Sequence, residues 1–457
     1  MQLQFHSFEF ACFLAVVSLF VFGFRASGIQ KFILIVASLF FYSWDHSHYI
    51  WLLLYSTCLD YWLGHKIASV EKSRKRFYLT ISIVGNLSVL VYFKYLGFFN
   101  ELLLDMGGKW EWRPQLILPI GISFYTFQTM SYSIDIYRGR LKPCKNIWNF
   151  ALYVCFFPQL IAGPIVRASH FLPQLKEKIV FCPDNIRRGV ELLVLGLFKK
   201  SMGDLLLNAS SEISALSDDY SGAWVWFAIY SWTFHIYLDF SGYSDMAIGL
   251  ARMFGLRLPE NFRFPFLAAS FSDLWKRWHI TLSSWMRDYL YIPLGGNRCS
   301  KWRQGFNLIV TMSLSGLWHG ASLNFLLWGF FHGLLLFFER TIVWKWIAQS
   351  RALATFLVFN AMSFLFLVFN LGESSLWFLK KFLLSLFSET RGNMTHSIGL
   401  GMYVMAAAVV VHFLAYRDEH FAEKIMANKL LRYVALFVAF LIGLIFVEHT
   451  PNVYFRF

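Results

Sequence analysis

Apolar runs, each about as long as a bilayer crossing, recur from residue 8 to residue 447, with polar connections between them. A helix needs about 20 apolar residues to cross the hydrocarbon, and in lipid only helices and closed barrels satisfy their own backbone hydrogen bonds. Of the 457 residues 57% are hydrophobic and only 15% are charged. A soluble domain carries roughly 25% charged residues, so water-soluble architectures, intrinsic disorder and a secreted disulfide scaffold are excluded. The expected fold class is all-α, a polytopic transmembrane helical bundle of about 10–12 spans with re-entrant and interfacial helices.

The net charge of +14 is read as topology, since cytoplasmic loops of membrane proteins collect Lys and Arg. No nucleic-acid partner is expected. The six cysteines, Cys12, Cys58, Cys144, Cys155, Cys182 and Cys299, have no CxxC spacing, so neither a zinc site nor a disulfide framework is signalled. The first run, Phe8 to Phe24, has no Lys or Arg before it. A cleaved signal peptide has positive charge there, so a retained first helix is expected.

The basic clusters set the orientation. Lys66, Lys72, Arg74, Lys75 and Arg76 follow the third run (Tyr49 to Leu63), whereas Asp45-His46-Ser47-His48 ahead of it has neither Lys nor Arg. The N-terminus is therefore expected outside. The fourth run, Phe77 to Leu96, leads outward, and Leu116 to Ile136 returns to Arg138, Arg140, Lys142 and Lys145. Ile147 to Pro164 is interrupted by Pro158, Gly163 and Pro164 between two basic flanks, a re-entrant pattern. Residues 189–207 and 223–250 cross out and back.

Residues 251–303 hold nine Arg or Lys against three acids, too polar to span. There Phe271, Trp275, Trp278, Leu282, Trp285 and Tyr289 recur near the helical period, suggesting one amphipathic helix at the inner interface. Residues 304–340 read as a hairpin or bent re-entry, 351–371 as an outward crossing, 372–396 as an outer interfacial segment. Residues 397–416 and 432–447 form the last two passes and leave the C-terminus outside. Three regions result: N-terminal helices 1–115, a core 116–340, and C-terminal helices 341–457 with an aromatic tail.

Ionisable side chains within membrane segments usually line a functional path. His319 lies mid-run between Gly316 and Gly320; it is either a general base or a buried histidine bonded to a carbonyl. His279, in Trp275-Lys276-Arg277-Trp278-His279, is either a packing residue or part of a site. Helical spacing would put Arg277, Thr281, Ser284 and Asp288 on one polar face. Arg257, Arg263, Lys276, Arg298, Lys301 and Arg303 could hold the phosphates of a nucleotide-like donor or rest against anionic lipid. His235 and Asp239, four residues apart, could pair as polar glue or line a substrate path. His332 follows His319 by thirteen residues, a rotation of ~220° on one continuous helix, so no shared metal site is expected.

Five stretches are specific enough to name a family: LPIGISFYTFQTMSYSIDIYRG (118–139), FFPQLIAGPIVRASHFLPQL (156–175), DFSGYSDMAIGLARMFGLRLPENFRFPF (239–266), DLWKRWHITLSSWMRDYLYIPLGGNR (273–298) and LSGLWHGASLNFLLWGFFHG (314–333). In this order they resemble the membrane-bound O-acyltransferase family, in its bacterial alginate O-acetylation branch. The resemblance implies a helical ring around a thinned centre, where an outer funnel meets a donor tunnel from the cytoplasm. It implies that His319 of GLWHG is the catalytic histidine and His279 of RWHITLS a second active-site residue. Arg277, Asp288, Trp278, Trp318, Asn324, Lys276 and Arg298 become candidates for the donor tunnel. The implied donor is acetyl-CoA, with no metal.

The implied acceptor is a cell-surface polysaccharide, alginate-like or peptidoglycan, reached through a periplasmic SGNH-type partner at the bacterial cytoplasmic membrane. The tail Pro451-Asn452-Val453-Tyr454-Phe455-Arg456-Phe457 resembles the branch's terminal aromatic motif, making Tyr454 a candidate acyl relay; interfacial anchoring is its other reading. The chain departs from the branch at Phe369-Asn370, where an Arg is common, and at Arg456, where Gln is commoner. D-alanyl transfer from a carrier protein to a wall polymer is the alternative on the same fold, and a transporter or channel the alternative of another class.

Overall fold

The computed structural model describes residues 3–46, 49–107, 117–215, 220–370, 383–418, 424 and 427–446. Among them the regular elements are helices, with no strand. Five helices are long and apolar enough to cross a membrane: Ser27–Trp44, Lys72–Asp105, Arg351–Phe369, His396–Arg417 and Lys429–Phe446. Among the described residues two more apolar helices, Phe8–Gly23 and Leu323–Phe338, are shorter, and other long helices carry polar side chains that are buried against protein, such as Asp60, Lys200 and Asp239. The chain divides into two compact units, Met1–Leu193 with Met246–Pro259, and Val194–Asp245 with Glu260–Phe457.

The first unit begins with α1 (Phe8–Gly23), α2 (Ser27–His46) and α3 (Ile50–Ser69). Ser7 caps α1 by accepting the Phe10 N–H at 3.1 Å. The fourth run does not stop at Leu96. α4 (Lys72–Leu90) passes through a π-helical turn, Val91–Tyr95, into α5 (Leu96–Asp105). α6 (Ile122–Tyr137) is buried from Ile122 to Ile136 although it carries Thr126, Gln128, Thr129, Ser131, Ser133 and Asp135.

Such a helix is stable only if its polar groups find partners, and a buried network supplies them for Thr129 and Ser133. Asp60 of α3 accepts from Ser82 Oγ (2.5 Å), Asn86 Nδ2 (2.6 Å) and Ser133 Oγ (2.6 Å). The interrupted run at 147–164 is broken as expected, into α7 (Ile147–Cys155) and α8 (Phe157–Leu160), with Pro158 in the first turn of α8. α9 (Ala168–Phe171) follows. α10 (Pro183–Ala215) and α11 (Ala223–Met253) run on past the limits expected for 189–207 and 223–250.

In the second unit, α10 and α11 hold a buried charge cluster. Lys200 Nζ lies 2.6 Å from Asp204 and 3.0 Å from Asp239, and His235 Nδ1 lies 2.9 Å from the Gly203 carbonyl. His235 and Asp239 thus both reach from α11 to α10, which favours the reading as polar glue. Segment 271–291 corrects the expectation of one amphipathic helix: it forms α12 (Phe271–Arg277), α13 (Ile280–Met286) and a π-helical turn Arg287–Tyr291. The stripe Arg277, Thr281, Ser284, Asp288 is therefore no continuous helix face.

Run 304–340 is a hairpin of α14 (Lys301–His319) and α15 (Leu323–Phe338). His319 and His332 accordingly sit on two helices rather than on the continuous one assumed for their 220° separation. α16 (Ile342–Ile347), α17 (Arg351–Asn370) and the helices His396–Arg417 and Lys429–Phe446 complete the unit. The last of these leaves Leu430, Phe437 and Ile445 exposed, as a lipid-facing helix would. Residues 372–382 of the expected outer segment 372–396 lie outside the described residues, as do Tyr454 and the whole aromatic tail.

Candidate active site

His279 owes its position to a break in the backbone. α12 closes with the Trp278 N–H donating to the Leu274 carbonyl at 2.8 Å. The next residue, His279, takes φ 41° and ψ 53°, the left-handed region, as N-cap of α13. For a residue with a β-carbon this costs on the order of 1–3 kcal/mol, and such strain concentrates at functional sites. The turn delivers the imidazole, fully buried, edge-on to the Phe240 ring at 4.8 Å. Burial lowers its pKa from the usual 6.5 to about 3, so the ring is neutral near pH 7.

His319 ends α14, where Gly320 opens the turn to α15. It is 6% exposed and packs against Trp318 (5.0 Å), Trp328 (5.3 Å) and Phe369 (5.4 Å). The rings of His279 and His319, forty residues apart in the chain, come to 6.3 Å between centroids. Trp318 faces both, 5.9 Å from His279. Two imidazoles in a nest of aromatic rings suit proton transfer, since little water competes for the moving proton.

The remaining candidates divide. Trp278 is buried against Phe262 (5.1 Å) and Phe366 (5.1 Å). Asn324 Nδ2 donates to the Phe369 carbonyl at 3.4 Å, tying α15 to the residue that packs on His319. Arg277 is held by Asp273 at 2.9 Å, and Asp288 by its neighbour Arg287 at 2.7 Å. Lys276 and Arg298 are exposed. The structure thus gathers His279, His319, Trp278, Trp318 and Asn324 around shared aromatic neighbours and leaves the four charged residues outside that group. Among the described residues, no three His, Cys, Asp or Glu side chains converge as metal ligands.

Sequence reasoning missed Asn261. Its Oδ1 lies 3.1 Å from His279 Nδ1 and accepts from Thr281 N–H (3.3 Å) and Thr281 Oγ–H (2.9 Å), while its Nδ2 donates to Ser244 Oγ at 3.3 Å. Its backbone carbonyl accepts the Ile280 N–H at 3.0 Å. The only signal was its place in Pro259-Glu260-Asn261-Phe262, an irregular connection eighteen residues before His279, and nothing in that spacing points to a contact.

Residues 140–375 match the membrane-bound O-acyltransferase family, MBOAT. The chain is 41% identical over 320 residues to a protein of Azotobacter vinelandii named probable alginate O-acetylase AlgI, covering 68% of this chain and 64% of that one. It is 36% identical over 348 residues to the peptidoglycan O-acetyltransferase of Helicobacter pylori, 68% of this chain and 64% of the relative. It is 24% identical over 374 residues to the teichoic acid D-alanyltransferase of Bacillus subtilis, 76% and 91% of the two. The chain spans just under two-thirds of the length of the alginate and peptidoglycan relatives it matches. Both buried histidines fall within the matched residues, and the chain belongs to the membrane-bound O-acyltransferase family.

Proposed function

We propose that this protein is a multi-pass O-acetyltransferase that takes an acetyl group from cytoplasmic acetyl-CoA and delivers it, across the bacterial cytoplasmic membrane, for O-acetylation of a cell-surface polysaccharide. The observation that carries the reading is the convergence of His279 and His319 at 6.3 Å inside a buried aromatic nest. The names of the alginate and peptidoglycan relatives support the acceptor class, an alginate-like exopolysaccharide or peptidoglycan.

In the proposed reaction His319 removes the proton of the attacking hydroxyl. The oxygen bonds to the thioester carbonyl carbon, the carbon–sulfur bond breaks, and the departing thiolate regains the proton from the imidazolium. Trp278, Trp318 and Asn324 shape the pocket for the donor's acyl end. Arg277, Lys276, Arg298 and Asp288 belong, in this reading, to its polar mouth. Both termini face the periplasm, where Tyr454 relays the acetyl to an SGNH-type partner.

His319→Ala tests the reading. Acetylation of the polymer is expected to vanish while membrane abundance stays normal; unchanged acetylation would overturn it. The teichoic acid relative, matched over 91% of its length, favours D-alanyl transfer from a carrier protein as the second reading. Supplying labelled acetyl-CoA against D-alanyl carrier to isolated membranes separates the two.

A further inference from the structure

The hydrogen bonds around Asn261 decide which nitrogen of His279 can accept a proton. An asparagine's amide oxygen and nitrogen are normally hard to tell apart. Here a backbone N–H settles the matter, because the Thr281 N–H can only donate and it points at Asn261 Oδ1 from 3.3 Å. The Thr281 hydroxyl donates to the same atom at 2.9 Å. The other end of the amide then carries hydrogens, which fits the Nδ2 contact to Ser244 Oγ at 3.3 Å. Oδ1 is therefore an acceptor, and His279 Nδ1, 3.1 Å away, must carry the hydrogen between them. A neutral imidazole has one N–H and one lone pair. With the hydrogen on Nδ1, the lone pair is on Nε2.

We infer that Asn261 is a positioning residue that locks His279 into the Nδ1–H tautomer, so that Nε2 is the nitrogen that accepts. Its catalytic meaning rests on the acyl-transfer reading above; its geometry does not. The consequence is a division of labour. The neutral His279 cannot offer an Nε2–H to the oxyanion that forms as a thioester is attacked; it takes a hydrogen bond from a substrate donor instead. The device is rigid for two reasons. Asn261 is 1% exposed, and its backbone carbonyl holds the Ile280 N–H at 3.0 Å, fixing the same turn that gives His279 its left-handed backbone.

The test uses the full-length protein in lipid nanodiscs, labelled with 15N-histidine, with His279→Gln to identify the His279 signals. At neutral pH the wild type is expected to show a protonated Nδ1 and an unprotonated Nε2. Asn261→Ala should mix the two tautomers and lower kcat by about 10- to 100-fold, as removal of the hydrogen-bond partner of a metal-bound histidine does, with KM little changed. Asn261→Asp keeps an acceptor for all three donors, so the tautomer should persist. Its added negative charge raises the imidazole pKa, moving the acid limb of the rate–pH profile to higher pH. A wild-type His279 protonated on Nε2, or an unchanged tautomer in Asn261→Ala, overturns the inference. If Asn261→Ala does not fold, the wild-type and Asn261→Asp spectra still decide. The spectra need no turnover, so an active His319→Ala protein would sink the acyl-transfer reading and leave the tautomer to be judged separately.

Discussion

The hairpin that presents His319 depends on glycines that let two helices touch backbone to backbone, and Gly316→Ala tests this most directly. A β-carbon at Gly316 would stand 2.0 Å from the Phe325 carbonyl oxygen, where such atoms do not approach closer than 3.0 Å. The obstacle is main chain, so no side chain can swing away, and α14 and α15 must part by about 1 Å at that level. Gly329 and Gly333 have the same role further along, 2.1 Å from the Met312 oxygen and 2.5 Å from Ile309 Cα.

Overpacking of this kind costs about 1–3 kcal/mol. The displaced residue, Phe325, packs on Phe369 at 4.7 Å, and Phe369 packs on His319 at 5.4 Å. A misplacement of about 1 Å in a catalytic group costs on the order of 100-fold in rate. Gly316→Ala is therefore expected to lose about 100-fold in polymer acetylation per unit of membrane protein, with a lower melting temperature in detergent. Gly399→Ala is the control: nothing lies within 4 Å of the added carbon, and the exchange should be neutral or stabilise by about 0.4–1 kcal/mol. Full activity and an unchanged melting temperature in Gly316→Ala would refute the claim that close helix contact positions His319.

Two further predictions concern buried polar groups. Asp60→Ala removes the shared acceptor of Ser82, Asn86 and Ser133; it should destabilise by about 1–3 kcal/mol for each donor left unsatisfied, read as a drop in melting temperature, with Asp60→Asn milder. An unshifted melting temperature in Asp60→Ala would show that the network contributes nothing. Lys200→Met strands the carboxylates of Asp204 and Asp239 in a buried site and should cost about 3–5 kcal/mol. Adding Asp204→Asn and Asp239→Asn should restore most of that loss; a triple variant as unstable as Lys200→Met would mean that lost packing, not stranded charge, is responsible.

Much of the architecture was legible in the chain because the bilayer is an exacting solvent. Apolar length alone marked the runs that became α1, α2, α17 and the helices His396–Arg417 and Lys429–Phe446. Pro158 marked the break between α7 and α8. The motif around Gly316, Trp318, His319 and Gly320 marked the turn between α14 and α15 and a buried histidine, since a polar centre in an apolar run has to be enclosed by protein. Helical spacing misled where tertiary contacts overrode it. The aromatic period from Phe271 to Tyr289 fits one helix, yet the bonds of Asn261 to His279, Thr281 and Ile280 hold the chain in a kink at His279.

Local sequence determined where helices form, which segments can face lipid, and that two histidines lie in specific motifs, because these follow from hydrogen bonding and transfer energy residue by residue. Only the tertiary structure decided that His279 and His319 share one aromatic nest, that Arg277 and Asp288 are held by Asp273 and Arg287, and that Asn261 sets the orientation of an imidazole. Those outcomes depend on contacts between distant segments, and a contact energy has no local signature: nothing in the seventeen residues between Asn261 and His279 says that their side chains lie 3.1 Å apart.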